Sequence, residues 1–235
     1  MRHASSTNPR AMVLLMSLPK PAFTLLNRAL VAFRRQQSWK IPTVELSAKH
    51  IANLRVMLNR DALLESLPAG AVVAEVGVDH GDFSSRILEI TRPARLHLID
   101  AWDSKRYHGG LEHFVRERFA REIGAGCMQL HRGFSTTVLA EFPDGHFDWI
   151  YVDTDHSYET TKRELEIARS KMKPNGVIAG HDFVTGNWNS GFRYGVVEAV
   201  HEFCLKHDWE LIALTHETDR HLSFAIRAIG IETSP

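Results

Sequence analysis

Six polar residues follow two short apolar runs in this chain. The run Phe147-Asp148-Trp149-Ile150-Tyr151-Val152 passes into Asp153-Thr154-Asp155-His156, and Gly176-Val177-Ile178-Ala179-Gly180 passes into His181-Asp182. Runs of this composition suit strands in the middle of a parallel sheet, and in an open sheet of that kind ligands bind beyond the carboxyl ends of the strands. If the two strands are neighbours, roughly 5 Å apart, their terminal side chains converge on a single ion or hydroxyl. Carboxylate and imidazole donors together suit a hard or borderline divalent cation, with Mg²⁺ or Mn²⁺ preferred over Zn²⁺. Asp153, His156, His181 and Asp182 are therefore the candidate catalytic residues. A bound cation would make an acceptor hydroxyl more acidic, and without one His181 or His156 would have to serve as the base, because an imidazole titrating near 6.5 suits proton transfer at neutral pH. The plainer alternatives stay open: Asp153 tied to nearby amides, and Asp155 and His156 ending a turn before a helix that starts at Tyr158.

The second chemistry-bearing stretch is Ala71 to Ser85, AVVAEVGVDHGDFSS, an apolar run that breaks at Glu75-Val76-Gly77 and reaches Gly81 four residues later. It predicts a strand, a glycine turn where backbone can approach a ligand, and a helix capped by Asp82. A dinucleotide fingerprint counted from Gly77 would need glycine at 79 and 82, where this chain has Asp79 and Asp82. Two carboxylates would repel a diphosphate, whereas the sulfonium of S-adenosylmethionine is a cation without phosphates. The strand-like run Arg95 to Ile99 ends in Asp100, placed to accept ribose hydroxyls.

With these segments in order, the chain resembles the class I S-adenosylmethionine-dependent methyltransferases through EVGVDHG at 75 to 81, LHLID at 96 to 100 and FDWIYVDTDHSY at 147 to 158. VDTDHSYE together with KPNGVIAGHDF is similar to the small bacterial branch of macrolide-sugar and aminocoumarin-sugar O-methyltransferases. The resemblance spans Leu64 to Ala228. It implies an α/β fold with a Rossmann-like, seven-stranded, mostly parallel sheet and an antiparallel C-terminal edge hairpin, preceded here by an N-terminal helical extension. It further implies bound S-adenosylmethionine and a divalent metal at Asp153, His181 and Asp182, with His181 standing where the relatives usually have another Asp. Donor-binding candidates are Glu75, Gly77, Gly81, Asp100, Trp102, Ser135 and Asp153.

The expected reaction is O-methylation of a small hydroxylated acceptor of sugar or natural-product type. Recognition of that acceptor falls to Phe183 to Gly195, a glycine- and asparagine-rich loop carrying Trp188, Arg193 and Tyr194. Two other readings compete: a catalytically silent methyltransferase-like binding domain, and an NAD-dependent oxidoreductase, which Asp79 and Asp82 disfavour.

The elements that must position these residues alternate strand and helix. Val44 to Ser66 predicts a helix, Leu111 to Ile123 another, Met128 to His131 a strand, and Tyr158 to Met172 a helix capped by Ser157. The last third predicts a helix at Val196 to Lys206 and two strands, Glu210 to Thr215 and His221 to Ile226. This divides the chain into a basic helical arm, 1–63, and a methyltransferase domain, 64–235.

The 235-residue chain carries no net charge, yet residues 1–44 hold seven Lys or Arg and no acid, leaving 21 basic and 28 acidic residues in the remainder. An acidic body argues against a nucleic-acid partner. Pro21 to Arg35 predicts a basic amphipathic helix that packs on the domain or a partner subunit in a homo-oligomer, meets an anionic membrane surface, or acts as a targeting segment. The apolar run Ala11 to Leu18 is too short to span a bilayer. Cys127 and Cys204 lie in no paired motif. The expected setting is cytoplasmic, with contact at the membrane surface as the variant.

Overall fold

A computed structural model describes residues 19–38, 40–104, 109–187, 191–217 and 221–230. The chain divides into two compact units, Met1–Pro42 and Thr43–Pro235. The described part of the first is dominated by one helix, Lys20–Ser38.

The second unit is built on an eight-stranded sheet. In chain order the strands are β1 (Arg55–Met57), β2 (Val72–Val76), β3 (Arg95–Asp100), β4 (Met128–Arg132), β5 (Phe147–Val152), β6 (Met172–Gly180), β9 (Trp209–Thr215) and β10 (Phe224–Ala228); β7 (Gly186–Asn187) and β8 (Phe192–Arg193) pair separately as a small hairpin. The order across the sheet is β1-β9-β10-β6-β5-β2-β3-β4. Strands β6, β5, β2, β3 and β4 run parallel, and β10 is antiparallel to both β6 and β9. The expected Rossmann-like α/β sheet with its C-terminal hairpin is present, with eight strands rather than seven because β1 adds outside the hairpin.

Its edge differs from expectation. Val44 to Ser66 is not one helix: a 3₁₀ turn at Ala48–Ile51 leads to β1, and a helix follows at Arg60–Ser66. Asn59 accepts the amide of Ala62 at 2.9 Å through Oδ1 and so starts that helix locally, while β1 pairs parallel to β9 and covers the hairpin. Helical spacing of Ile51, Leu54, Met57 and Leu58 misread a segment whose fate was decided by an unpaired sheet edge. The predicted helix Leu111 to Ile123 is likewise two, Gly109–Arg118 and Ala120–Gly124, broken where Phe119 takes φ −110°, ψ 24°.

The central strands are buried on both faces. Trp149, Tyr151, Phe147, Leu96 and Leu98 are fully enclosed, and each such side chain contributes about 1.5–3 kcal/mol of burial energy. The chain passes from β2 outward to β3 and β4 and then returns to β5 on the other side of β2. That reversal opens a crevice between the carboxyl ends of β2 and β5, the place where open α/β sheets bind ligands.

Candidate functional site

The crevice is closed by backbone contact at its base. Gly77 follows β2 with φ +94°, and a Cβ there would overlap the backbone carbonyl of Asp153, which follows β5. Gly77 N donates to Ile99 O at 2.8 Å and Asp153 N to Val76 O at 2.7 Å. The glycine is thus needed for the close approach of two strand ends. Gly81 (φ +77°) caps the helix Asp82–Thr91, whereas Asp82, expected as the cap, lies in the first turn beside Arg118 at 2.7 Å. A Cβ at Gly81 would press on the Phe119 ring, and one at Gly133 would sit 2.8 Å from Val138 Cγ2.

Asp100 is already engaged within the protein. Its Oδ2 accepts the amides of Val78 at 2.7 Å and Asp79 at 3.0 Å, and Oδ1 accepts the amide of Trp102 at 2.9 Å. Three of roughly four acceptor positions on the carboxylate are therefore used inside the protein, leaving about one for a ribose hydroxyl. Trp102, proposed as a donor contact, is a core side chain at 1 % exposure whose indole N–H reaches Asp79 O at 3.2 Å. It backs the turn from within. Glu75 is buried at 1 % exposure and accepts the Ser84 hydroxyl; burial, with some repulsion from Asp153 and Asp100, pushes its carboxyl up to about 8. Ser135 begins the helix Ser135–Glu141. Beside it the buried Glu164 is pushed by desolvation to about 7 and accepts the Thr154 hydroxyl at 3.0 Å.

The ends of β5 and β6 meet as neighbouring strands. Val152 pairs with Gly180, and His181 N donates to Val152 O at 2.9 Å. Asp153, His181 and Asp182 each offer a ligand atom, and these atoms lie within 4.8 Å of one another. His181 Nδ1 stands 3.6 Å from Asp153 Oδ2 and 3.4 Å from Asp182 Oδ2. His156 Nδ1 lies 3.0 Å from Asp182 Oδ2, and His221 Nδ1 contacts Asp182 Oδ1. Tyr194 packs on His156 and His221, with ring centroids 4.8 and 5.5 Å apart.

Electrostatics separate the two carboxylates. Burial raises the Asp153 pKa, helped by Asp182 and opposed by His181, His156 and Arg60. Burial works the same way on Asp182 but loses to hydrogen bonds and charge from His156 and His181, which hold it far below the usual carboxylate range. For His156, desolvation is outweighed by the hydrogen bond and charge of Asp182, so its pKa rises above the ordinary imidazole value. Because an ionised carboxylate only accepts, a neutral His156 carries its proton on Nδ1 and keeps Nε2 as a base. His181 is placed differently: its Nε2 is buried with no hydrogen-bond partner among the described residues, and the ring borders a cavity of about 10 Å³ shared with Thr154, His156 and Thr161. That position disfavours it as the base for an external acceptor.

Two participants had no signal in the sequence. His221 arrives from the segment before β10, and Arg60, at the start of a short helix, lies over Phe83 at 4.9 Å with Asp153 and Glu217 each 4.0 Å away. Of the expected acceptor loop, Trp188 lies outside the described residues. Arg193 is engaged by Glu198 and donates to Thr185 O at 2.7 Å, so its guanidinium is committed within the protein. Asp155 accepts the amide of Ser157 at 2.9 Å and the hydroxyl of Thr160 at 2.8 Å, which is a capping role.

The donor set passes a chemical test for the expected cation. Two carboxylates and one imidazole form the mixed oxygen and nitrogen set that a divalent cation takes.

Comparisons with known proteins agree with the fold. No curated protein matches the chain. In fold it is similar to a putative rRNA-methylase from Clostridium thermocellum, with 13 % identity, TM-score 0.56, and coverage of 81 % of this chain and 100 % of that one. It is also similar to an O-methyltransferase family 2 protein from Planctomyces limnophilus solved with apigenin, with 15 % identity, TM-score 0.52, and 71 % and 56 % coverage. The pyocyanin biosynthetic protein PhzM aligns at 15 % identity and TM-score 0.53 over 67 % of this chain, which spans 50 % of PhzM. Residues 74–183 match the family model of a methyltransferase domain, so the glycine turn and the Asp153, His181 and Asp182 cluster both fall inside a segment with a methyltransferase-domain signature.

Proposed function

We propose that the protein transfers a methyl group from S-adenosylmethionine to a hydroxyl of a small acceptor, of sugar or natural-product type. The observation that carries this reading is the contact of Gly77 with the Asp153 backbone, which sets the donor-side turn and the carboxylate and imidazole cluster on opposite lips of one crevice. In this chemistry an acceptor oxygen displaces sulfur: a C–O bond forms, the methyl C–S bond breaks, S-adenosylhomocysteine leaves with a neutral sulfur, and the hydroxyl proton is released.

The chain's own residues supply orientation and a proton acceptor. Asp182 holds the His156 ring through Nδ1, and Nε2 takes the proton as the acceptor oxygen attacks. Tyr194, buried against His156 and His221, holds both imidazole rings in place. Asp153, His181 and Asp182 would hold Mg²⁺ or Mn²⁺, which when bound makes a coordinated hydroxyl more acidic. A metal-independent version has its own support: His156 and His221 already engage both oxygens of Asp182.

Thermal unfolding with S-adenosylmethionine, S-adenosylhomocysteine and NAD, each with and without EDTA, tests the reading. Ligand at about 100 times Kd adds roughly 2.7 kcal/mol, which raises the midpoint by about 5–10 °C. The methyl donor and its product should shift the midpoint and NAD should not. No shift with either would make a silent binding domain the better reading, and a shift unchanged by EDTA favours the metal-independent version.

A further inference from the structure

The helix Lys20–Ser38 presents two unlike sides. Phe23, Leu26, Leu30 and Phe33, spaced three or four residues apart, fall along one side and are 52, 37, 45 and 57 % exposed. Lys20, Arg28 and Arg35 fall along the other, also exposed, with Val31 between Lys20 and Arg35 and Leu25 beside Arg28. The first turn has no acid, and none occurs before Glu45. A helix of this length cannot bury its own apolar stripe, and helices in water draw most of their stability from packing such a stripe.

Charge decides among the surfaces that could cover it. A second copy of the helix would cover the apolar stripe but leave Lys20, Arg28 and Arg35 unneutralised, because no acid in the helix is there to pair with them. An anionic bilayer offers both halves of the match: an acyl boundary for the phenylalanines and leucines, and phosphate charge for the lysine and arginines. Among the described residues no helix is long and apolar enough to cross a membrane, so the contact is in the plane of the interface. We propose that the helix Lys20–Ser38 docks the protein onto an anionic lipid surface.

The test is sedimentation of the full chain with vesicles of phosphatidylcholine alone or mixed with phosphatidylglycerol, at low and high salt. The native chain should partition onto the mixed vesicles and be released by salt. Removing the cations in an Arg28→Gln, Arg35→Gln variant should lower partition about fivefold per charge. Leu26→Glu with Leu30→Glu should abolish it, while both variants keep the native thermal midpoint of the second unit. Equal partition onto the two vesicle types, or native partition by both variants, overturns the proposal. So does a dimer seen by sedimentation equilibrium that Leu26→Glu with Leu30→Glu dissolves while the native chain ignores vesicles, since a second copy would then be the occupant.

Discussion

His156 and Asp182 face each other at 3.0 Å, and both hold left-handed backbone, with φ 61° and 57°. Neither is a glycine, so each conformation costs on the order of 1 kcal/mol or more and persists only because the surrounding structure imposes it. The left-handed backbone at both residues fixes how the two side chains meet. The carboxylate is gripped on its other oxygen by His221, which leaves it little freedom to turn.

That grip predicts how Asp182 fails when altered. Asp182→Asn keeps the shape but removes the charge that orients His156, so methyl transfer should fall by at least about 10²-fold. Affinity for S-adenosylhomocysteine, measured calorimetrically, should stay within about twofold. Loss of donor affinity in step with turnover would place Asp182 in the donor site instead.

Gly77→Ala tests the floor of the crevice. The added methyl meets the Asp153 carbonyl and the backbone has φ +94°, so the expected loss is at least about 3 kcal/mol in urea unfolding. A variant as stable as the native protein would show that the strand ends can separate. Gly70→Ala is the comparison, because its φ is +66° but nothing lies within 4 Å of the new atom, and its cost should be about 1 kcal/mol.

Glu75 should make the ligand-free protein less stable at higher pH. Its folded pKa of about 8 exceeds the unfolded value of 4.5, so its contribution is fully present below about pH 4.5 and is lost as pH rises toward 8. The slope from this group is at most about 1.4 kcal/mol per pH unit. Glu75→Gln, which can still accept from Ser84, should flatten stability between pH 5 and 8 and raise the midpoint at pH 8. An unchanged slope would mean that Glu75 is ionised in the folded protein.

A buried histidine chain sets the opposite limb. His97 Nδ1 lies 2.9 Å from His131 Nε2, and His146 Nε2 lies 3.4 Å from His97 Nε2, beside Phe142 and Phe147. Burial, with repulsion from His131, His146 and Arg95, depresses His97 from 6.5 to about 3. A depressed imidazole pKa means that the unfolded chain takes up a proton that the folded chain refuses, so stability is present above about pH 6.5 and lost as pH falls toward 3. His97→Leu should reduce that acid slope by about one proton in pH-dependent urea unfolding. The same slope in the variant would remove His97 as the cause.

The order of strands and helices was readable because their signals are local. Phe147 to Val152 is apolar throughout, as a strand buried on both faces must be, and Ser157 marked the next helix by accepting the Thr160 amide at 3.2 Å. The failures occurred where a partner distant in sequence decided the outcome. Arg55 to Met57 carries helical spacing yet pairs with Ala213 to Thr215, because the hairpin edge supplied unmet backbone groups. Asp100 was placed correctly at the end of β3, but its use by the amides of Val78, Asp79 and Trp102 depends on how the neighbouring turn folds over it.

The same division holds at the site. By itself the sequence determined that Asp153, His156, His181 and Asp182 end two apolar strands, because composition and chain direction put polar residues where buried runs stop. Only the tertiary structure decided that β5 and β6 are neighbours, that His221 and Arg60 join the cluster, and that Arg193 is drawn away to Glu198. Strand identity is written in a few consecutive residues. Which side chains meet in the cluster is set by the three-dimensional return of segments that lie up to 161 residues apart, from Arg60 to His221, and no short-range pattern records it.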